Sequence, residues 1–129
     1  MILVDSSVWV DYFRGVATPQ AKKLDSLLGD ELISTGDLIL TEVLQGFVGQ
    51  RDFNQARKLL TSLVIVDLAG QAIAIKAAEN FRALRSLGIS VRKTIDTVIA
   101  THCIENRLAL LHDDKDFDPF VQHLGLLSV

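Results

Sequence analysis

A single cysteine, Cys103, stands among 129 residues, so no intramolecular disulfide and no cysteine-rich zinc site can form. Two prolines and eight glycines are too few for a collagenous or low-complexity chain. No apolar run approaches the roughly eighteen residues of a membrane-spanning helix. The apolar start at residues 1–4 stops at Asp5 with no basic segment before it, which is not the pattern of a signal peptide. These absences lead to the expectation of a soluble chain in a reducing, cytoplasmic setting. Basic residues are also short: Lys and Arg number 13 against 16 Asp and Glu, a net charge of -3, which is a poor first sign of a nucleic-acid binder.

What is present is apolar. A hydrophobic content of 49% with only 22% charged residues is enough for one buried core, and residues 1–129 read as one domain without repeat or linker. Ile2, Leu3 and Val4 read as a strand buried on both faces. Ser6 or Ser7 is the expected cap of a first helix ending at Gly15, and Thr18-Pro19 starts a second running to Leu28. A weak strand is expected over residues 31–34. A helix from Gly36-Asp37 carries Leu38, Ile39, Val43, Leu44 and Phe47, and another is expected to be capped by Asp52. Val64, Ile65 and Val66 read as a buried strand, followed by a long helix to Gly88. Thr94 is the expected cap of a helix reaching about Asn106, with strands at residues 108–111 and 124–129 around a short helix limited by Pro119. Strands separated by one or two helices predict an α/β sandwich with a mainly parallel sheet of about five strands.

In such a sheet, ligands bind beyond the carboxyl ends of the strands where strand order reverses. Asp5 follows the first strand, and Asp114 and Asp116 follow the fourth. Asp96 lies in the first turn of its helix, and Glu42 is embedded in a strongly apolar one. Singly, each has an ordinary reading: a helix cap for Asp5, a first-turn stabiliser for Asp96, a solvated Glu42, a solvated turn at residues 113–118. Gathered together, like charges about 4 Å apart repel by about 4 kcal/mol at an effective dielectric near 20, so the cluster needs a cation. Oxygen ligands without Cys or His point to Mg²⁺ or Mn²⁺.

The segments MILVDSSVWVDYF, LILTEVLQG, RKTIDTVIATHC and LLHDDKDF, in this order and at these separations, resemble the PIN-domain ribonucleases, and in size and start the VapC toxins of toxin–antitoxin modules. The resemblance covers essentially the whole chain. It implies an acidic quartet of Asp5, Glu42, Asp96 and Asp114 binding Mg²⁺ or Mn²⁺, with Asp116 as a further carboxylate and Ser6 orienting a water or metal ligand. The implied chemistry is metal-assisted hydrolysis of an RNA phosphodiester, with Glu42 positioning the attacking water or accepting its proton. His112 stands where relatives commonly carry a hydroxyl residue, and a shift of one residue would exchange Asp113 with Asp114. The implied partners are a structured RNA such as tRNA, a VapB-like antitoxin and a second copy of the chain.

Charge is segregated along the sequence. Residues 76–93 hold Lys76, Arg82, Arg85, Arg92 and Lys93 against Glu79, a local charge of +4, whereas residues 113–118 sum to -3. Arg92 and Lys93 stand immediately before Asp96 and are the expected phosphate contacts, followed by Arg14 and Lys115. Trp9, Phe13 and Phe47 mark the expected apolar groove for an antitoxin. Two rival readings stay open at this level. One is a non-catalytic signalling or interaction domain of the receiver type, for which Asp67 after the third strand is the candidate acceptor. The other is a DNA nuclease or phosphatase using the same carboxylates.

Overall fold

The computed structural model describes residues 1–29 and 32–129. Among these residues five short strands form one all-parallel sheet: β1 (Ile2–Val4), β2 (Ile33–Gly36), β3 (Val64–Val66), β4 (Ala109–Leu111) and β5 (Leu127–Ser128), in the order β3-β2-β1-β4-β5. The chain winds outward from β1 through β2 to β3, then returns to place β4 on the other side of β1. Strand order therefore reverses between β1 and β4, and their carboxyl ends carry Asp5 and the acidic turn at residues 113–118. This is the crevice expected from the sequence.

Among the described residues seven helices connect the strands: α1 (Ser6–Arg14), α2 (Pro19–Leu27), α3 (Asp37–Leu44), α4 (Gln50–Thr61), α5 (Gln71–Ser86), α6 (Thr94–Asn106) and α7 (Asp118–Leu124), with a 3₁₀ turn at Lys115–Phe117. Leu3, Val4, Leu110 and Leu111 of the central strands are buried against Trp9, Leu24, Ile39, Leu84, Ile99, Phe117 and Phe120. Complete burial of a side chain such as Leu3 or Phe117 is worth about 1.5 to 3 kcal/mol. Among the described residues, no helix is long and apolar enough to cross a membrane.

Several helix starts differ from the sequence expectation. Asp5, not Ser6 or Ser7, caps α1, and Gly49, not Asp52, precedes α4. Lys93 precedes α6 without a side-chain cap, so Thr94 is its first helical residue. Helix α3 stops at Leu44, before Phe47. The strand expected over residues 31–34 lies partly outside the described residues, and β2 begins at Ile33. Strand β3 is not buried: it forms one edge of the sheet, leaving Val64 and Ile65 exposed. As expected, Gly15 closes α1 at φ 71° and Thr18 caps α2 by accepting from the Ala21 N–H at 3.0 Å.

Glycine is required at the end of β2. A Cβ at Gly36 would overlap the side chain of Leu68, which is fully buried. The Leu68 segment is also held by hydrogen bonds, its N–H donating to Asp37 Oδ1 at 3.1 Å and its carbonyl 3.2 Å from His102 Nδ1. That contact ties the start of α3, which carries Glu42, to α6, which carries Asp96.

Candidate active site

The β1–α1 junction supplies Asp5. Its backbone N–H continues the sheet ladder to the Leu111 carbonyl at 2.9 Å, and its side chain then caps α1, Oδ2 accepting from the Ser7 N–H at 3.0 Å. The Ser7 hydroxyl donates to the same oxygen at 2.6 Å. Asp5 is only 2% exposed, and its other oxygen, Oδ1, is buried without a hydrogen-bond partner among the described residues. Asp5 is thus the helix cap through one oxygen only, so capping leaves its second oxygen free and does not exclude the site role that the resemblance implies.

Asp96, in the first turn of α6, is 4% exposed, and its Oδ2 is likewise buried with no hydrogen-bond partner among the described residues. Asp114 caps the 3₁₀ turn, Oδ1 accepting the Asp116 N–H at 2.9 Å. Oxygens of Asp96, Asp114 and Asp116 all lie within 4.8 Å of one another. Asp116, an accessory residue in the sequence reading, therefore belongs to the tightest group of carboxylates. Glu42 is half-buried on α3 and accepts from the Ser6 hydroxyl at 3.4 Å. Ser6 thus reaches a carboxylate of the expected quartet, as a partner of Glu42.

Electrostatics couple these groups. Burial, then the charges of Asp5 and Asp114, push the Asp96 carboxyl up to about 7. Burial raises Asp5 despite the hydrogen bonds from Ser7, and burial followed by the Asp5 charge raises Glu42. Lys93 acts in the opposite sense on both Glu42 and Asp96. The arrangement disfavours a fully ionised cluster unless positive charge enters it.

Two of the four expected phosphate contacts pair with these carboxylates. Arg92 reaches Asp116 at 3.1 Å and Lys93 reaches Asp114 at 3.9 Å, both cations being largely exposed. Lys115 is exposed on the 3₁₀ turn beside Asp114. Arg14 is not brought together with the carboxylates: it lies in the last turn of α1, about 13 Å along the helix axis from the end that Asp5 caps.

Asp113 is exposed, and Asp114 provides the carboxylate of the cluster. The His112 ring packs against Phe117 at 5.0 Å, with Nδ1 accepting from the Asp114 N–H at 3.4 Å and Nε2 3.2 Å from the Ser128 hydroxyl. Ser7, read from the sequence only as a possible helix cap, is the neighbour of these carboxylates whose place the sequence reading missed: it bonds Asp5 Oδ2 and accepts the Asp113 N–H. Its signal was present, because an Asp cap bonds the N–H two residues on, which makes Asp5-Ser6-Ser7 a cap with its target. Trp9 is fully buried, stacked on Phe13 at 5.8 Å, and so cannot line a groove. Phe13 and Phe47 do line one, of about 260 Å³, with Val10, Val43 and Val48. Asp67 follows the edge strand β3, away from the β1–β4 crevice.

The family model of the PIN domain matches residues 2–120. A VapC ribonuclease of Mycobacterium bovis and ribonuclease VapC11 of Mycobacterium tuberculosis are each 33% identical over 121 residues, covering 92% of this chain and 90% of each relative. The fold is similar to that of VapBC from Salmonella typhimurium bound to DNA, with a TM-score of 0.77, 16% identity and 99% and 96% of the two chains covered. It is also similar to Mycobacterium tuberculosis VapC20, described as a sarcin–ricin loop cleaving toxin, with a TM-score of 0.70, 17% identity and 100% and 98% coverage. An all-parallel sheet whose β1–β4 crevice gathers acidic side chains, a family match over nearly the whole chain and relatives aligned almost end to end converge: the chain belongs to the PIN-domain family and, within it, to the VapC ribonucleases.

Proposed function

We propose that the protein is a Mg²⁺- or Mn²⁺-dependent endoribonuclease that acts as the toxin of a toxin–antitoxin pair. The observation that carries this reading is the pair of buried, unpartnered carboxylate oxygens, Asp5 Oδ1 and Asp96 Oδ2, in a crevice that also holds Asp114 and Asp116. Leaving such oxygens without a partner is costly, and hard oxygen donors without Cys or His suit a small divalent cation. Asp5, Asp96 and Asp114 would hold the ion, with Asp116 beside them and Glu42 reaching it directly or through water. When bound, the ion supplies positive charge that offsets the carboxylates and the charge developing on the phosphoryl oxygens.

The chain's own groups do the rest. Glu42, held by the Ser6 hydroxyl and raised by burial and by the Asp5 charge, is the carboxylate proposed to position the attacking water or accept its proton. Arg92 and Lys93 stand on the rim and hold flanking phosphates of the RNA, with Lys115 beside them. Removing Asp5, Glu42, Asp96 and Asp114 from the count leaves 12 acids against 13 bases, so the acidity of the sequence resides in the site and does not repel RNA from the rest of the surface.

The groove beside Phe13 and Phe47 supports docking of an apolar segment of a VapB-like antitoxin, which would direct a basic side chain toward the carboxylates. The structured RNA cleaved by VapC20 makes structured RNA, including tRNA, the substrate class of choice here. A homodimer is the proposed assembly. The apolar face between α5 and α6, where Ala74, Ala78, Phe81 and Val98 line a cavity of about 500 Å³, is its candidate surface. The proposed location is the cytoplasm, the usual setting for a chain whose one cysteine, Cys103, has no second cysteine in the sequence to pair with.

The test is a substrate panel of single-stranded RNA, structured RNA, DNA and a phosphomonoester, each with Mg²⁺, Mn²⁺ or chelator. Sequencing of RNA ends after expression of wild type and Asp5→Asn then identifies the target. Cleavage of RNA alone, dependent on the cation, is the expected result. Cleavage of DNA or of the phosphomonoester instead would replace this reading with the rival one.

A further inference from the structure

We infer that Ser7 is a positioning residue for the cation site, its hydroxyl fixing the carboxylates of two separate strands relative to each other. The inference rests on the metal reading above. Strands β1 and β4 are in register as far as Val4 and Leu111, and the Asp5 N–H to Leu111 carbonyl bond is the last rung between them. Beyond it the chains part, one into α1 and the other into the acidic turn. Ser7 Oγ is the next tie across the gap: it donates to Asp5 Oδ2 at 2.6 Å and accepts the Asp113 N–H at 3.0 Å.

Capping of α1 does not require this hydroxyl. The Ser7 backbone N–H already meets Asp5 Oδ2 at 3.0 Å, and that bond is the cap. The two bonds of Oγ are additional, and both act on the site. One commits Asp5 Oδ2, leaving Oδ1 as the oxygen available to a cation. The other holds the backbone immediately before Asp114, whose own carboxylate lies within 4.8 Å of oxygens from Asp96 and Asp116. Groups that orient metal ligands in this way typically contribute about 10- to 100-fold to metal affinity or activity.

The experiment compares wild type, Ser7→Ala, Ser7→Cys and Ser7→Thr in the full chain by three readouts: calorimetric titration with Mn²⁺, kcat/KM on an RNA oligonucleotide, and metal-free thermal melting. Ser7→Ala keeps the N–H cap and is expected to remain folded, with Mn²⁺ affinity and kcat/KM each falling by about 10- to 100-fold. Ser7→Cys, whose thiol is a weak donor and acceptor, is expected to lose affinity in the same sense. Ser7→Thr, which keeps the hydroxyl, restores most of it. Wild-type Mn²⁺ affinity in a folded Ala or Cys variant would overturn the inference, as would a folded Thr variant no better than Ala. Failure of the wild type itself to bind Mn²⁺ would overturn the metal reading, a result distinct from equal binding by wild type and variants.

Discussion

Arg92 reaches both carboxylate oxygens of Asp116, at 3.1 and 3.4 Å, so a cation from the basic segment before α6 already stands on the acidic site. Its partner is fixed by the fold, since the Asp116 N–H caps onto Asp114. Arg92 itself is mostly exposed, and an exposed pair of this kind is worth only about 0 to 1 kcal/mol. Exchanging Asp116 for an RNA phosphate therefore costs Arg92 little.

Replacing Arg92 and Lys93 together by Ala should weaken RNA binding without unfolding the protein. Removing one cation from the phosphates reduces the slope of log affinity against log salt by about 0.7 for single-stranded nucleic acid. Binding to an uncleavable RNA analogue across a salt series measures this directly. An unchanged slope would rule both residues out as phosphate-binding groups.

The acidic site gives a pH dependence of stability in the metal-free protein. Asp96 has its folded-state pKa raised from 3.8 to about 7, so the folded form binds its proton more tightly than the unfolded chain does. That contribution to stability is fully present below about pH 4 and is lost as pH rises toward and through about 7. Asp5 and Glu42 are raised as well and act in the same sense. Melting in chelator from pH 5 to 8 should show the fall, Asp96→Asn should flatten it, and added Mn²⁺ should oppose it at the upper end.

Gly36→Ala tests the packing that links the Glu42 helix to the sheet. The added methyl meets the buried Leu68 side chain, and overpacking of this kind costs about 1 to 3 kcal/mol. Denaturant unfolding should show the loss. Stability equal to wild type would mean that Leu68 repacks without cost.

The Phe13–Phe47 groove can be separated from the catalytic site. Phe47→Glu places a charge among the apolar side chains of a depression, edged by Arg14 and Asp52, at the opposite end of α1 from its Asp5 cap, so it should abolish capture of a co-expressed antitoxin while sparing cleavage in chelator-controlled assays. Retained antitoxin binding would move the docking surface elsewhere.

Much of this organisation was legible because its causes are local. Leu3 and Val4 are buried and Ile2 is half-buried, close to what an uninterrupted apolar run at the start of a parallel sheet should give, and Thr18-Pro19 and Gly15 punctuate helices where capping chemistry requires. Asp5 and Asp114 converge because β1 and β4 are neighbours, which follows from the α/β pattern once strand order reverses. The misreadings have non-local causes. Val64, Ile65 and Val66 have the composition of a buried strand, yet edge position depends on the order of the whole sheet. Trp9 and Phe13 share a helix, but one is sealed beneath the other. Three adjacent capping residues, Asp5, Ser6 and Ser7, divide their roles in a way that composition alone does not dictate: cap, partner of Glu42, and tie to the acidic turn.

If the buried carboxylates form a cation site that cuts RNA, Asp96→Asn, which removes charge while keeping shape, must disable it. RNA cleavage and Mn²⁺ titration should be measured on wild type and Asp96→Asn, with metal-free melting to establish that both are folded. The expected result is cation-dependent cleavage by wild type, abolished by chelator, and loss of both Mn²⁺ binding and cleavage in a variant at least as stable as wild type at pH 8. A folded Asp96→Asn protein that binds Mn²⁺ and cleaves RNA as the wild type does would contradict the account.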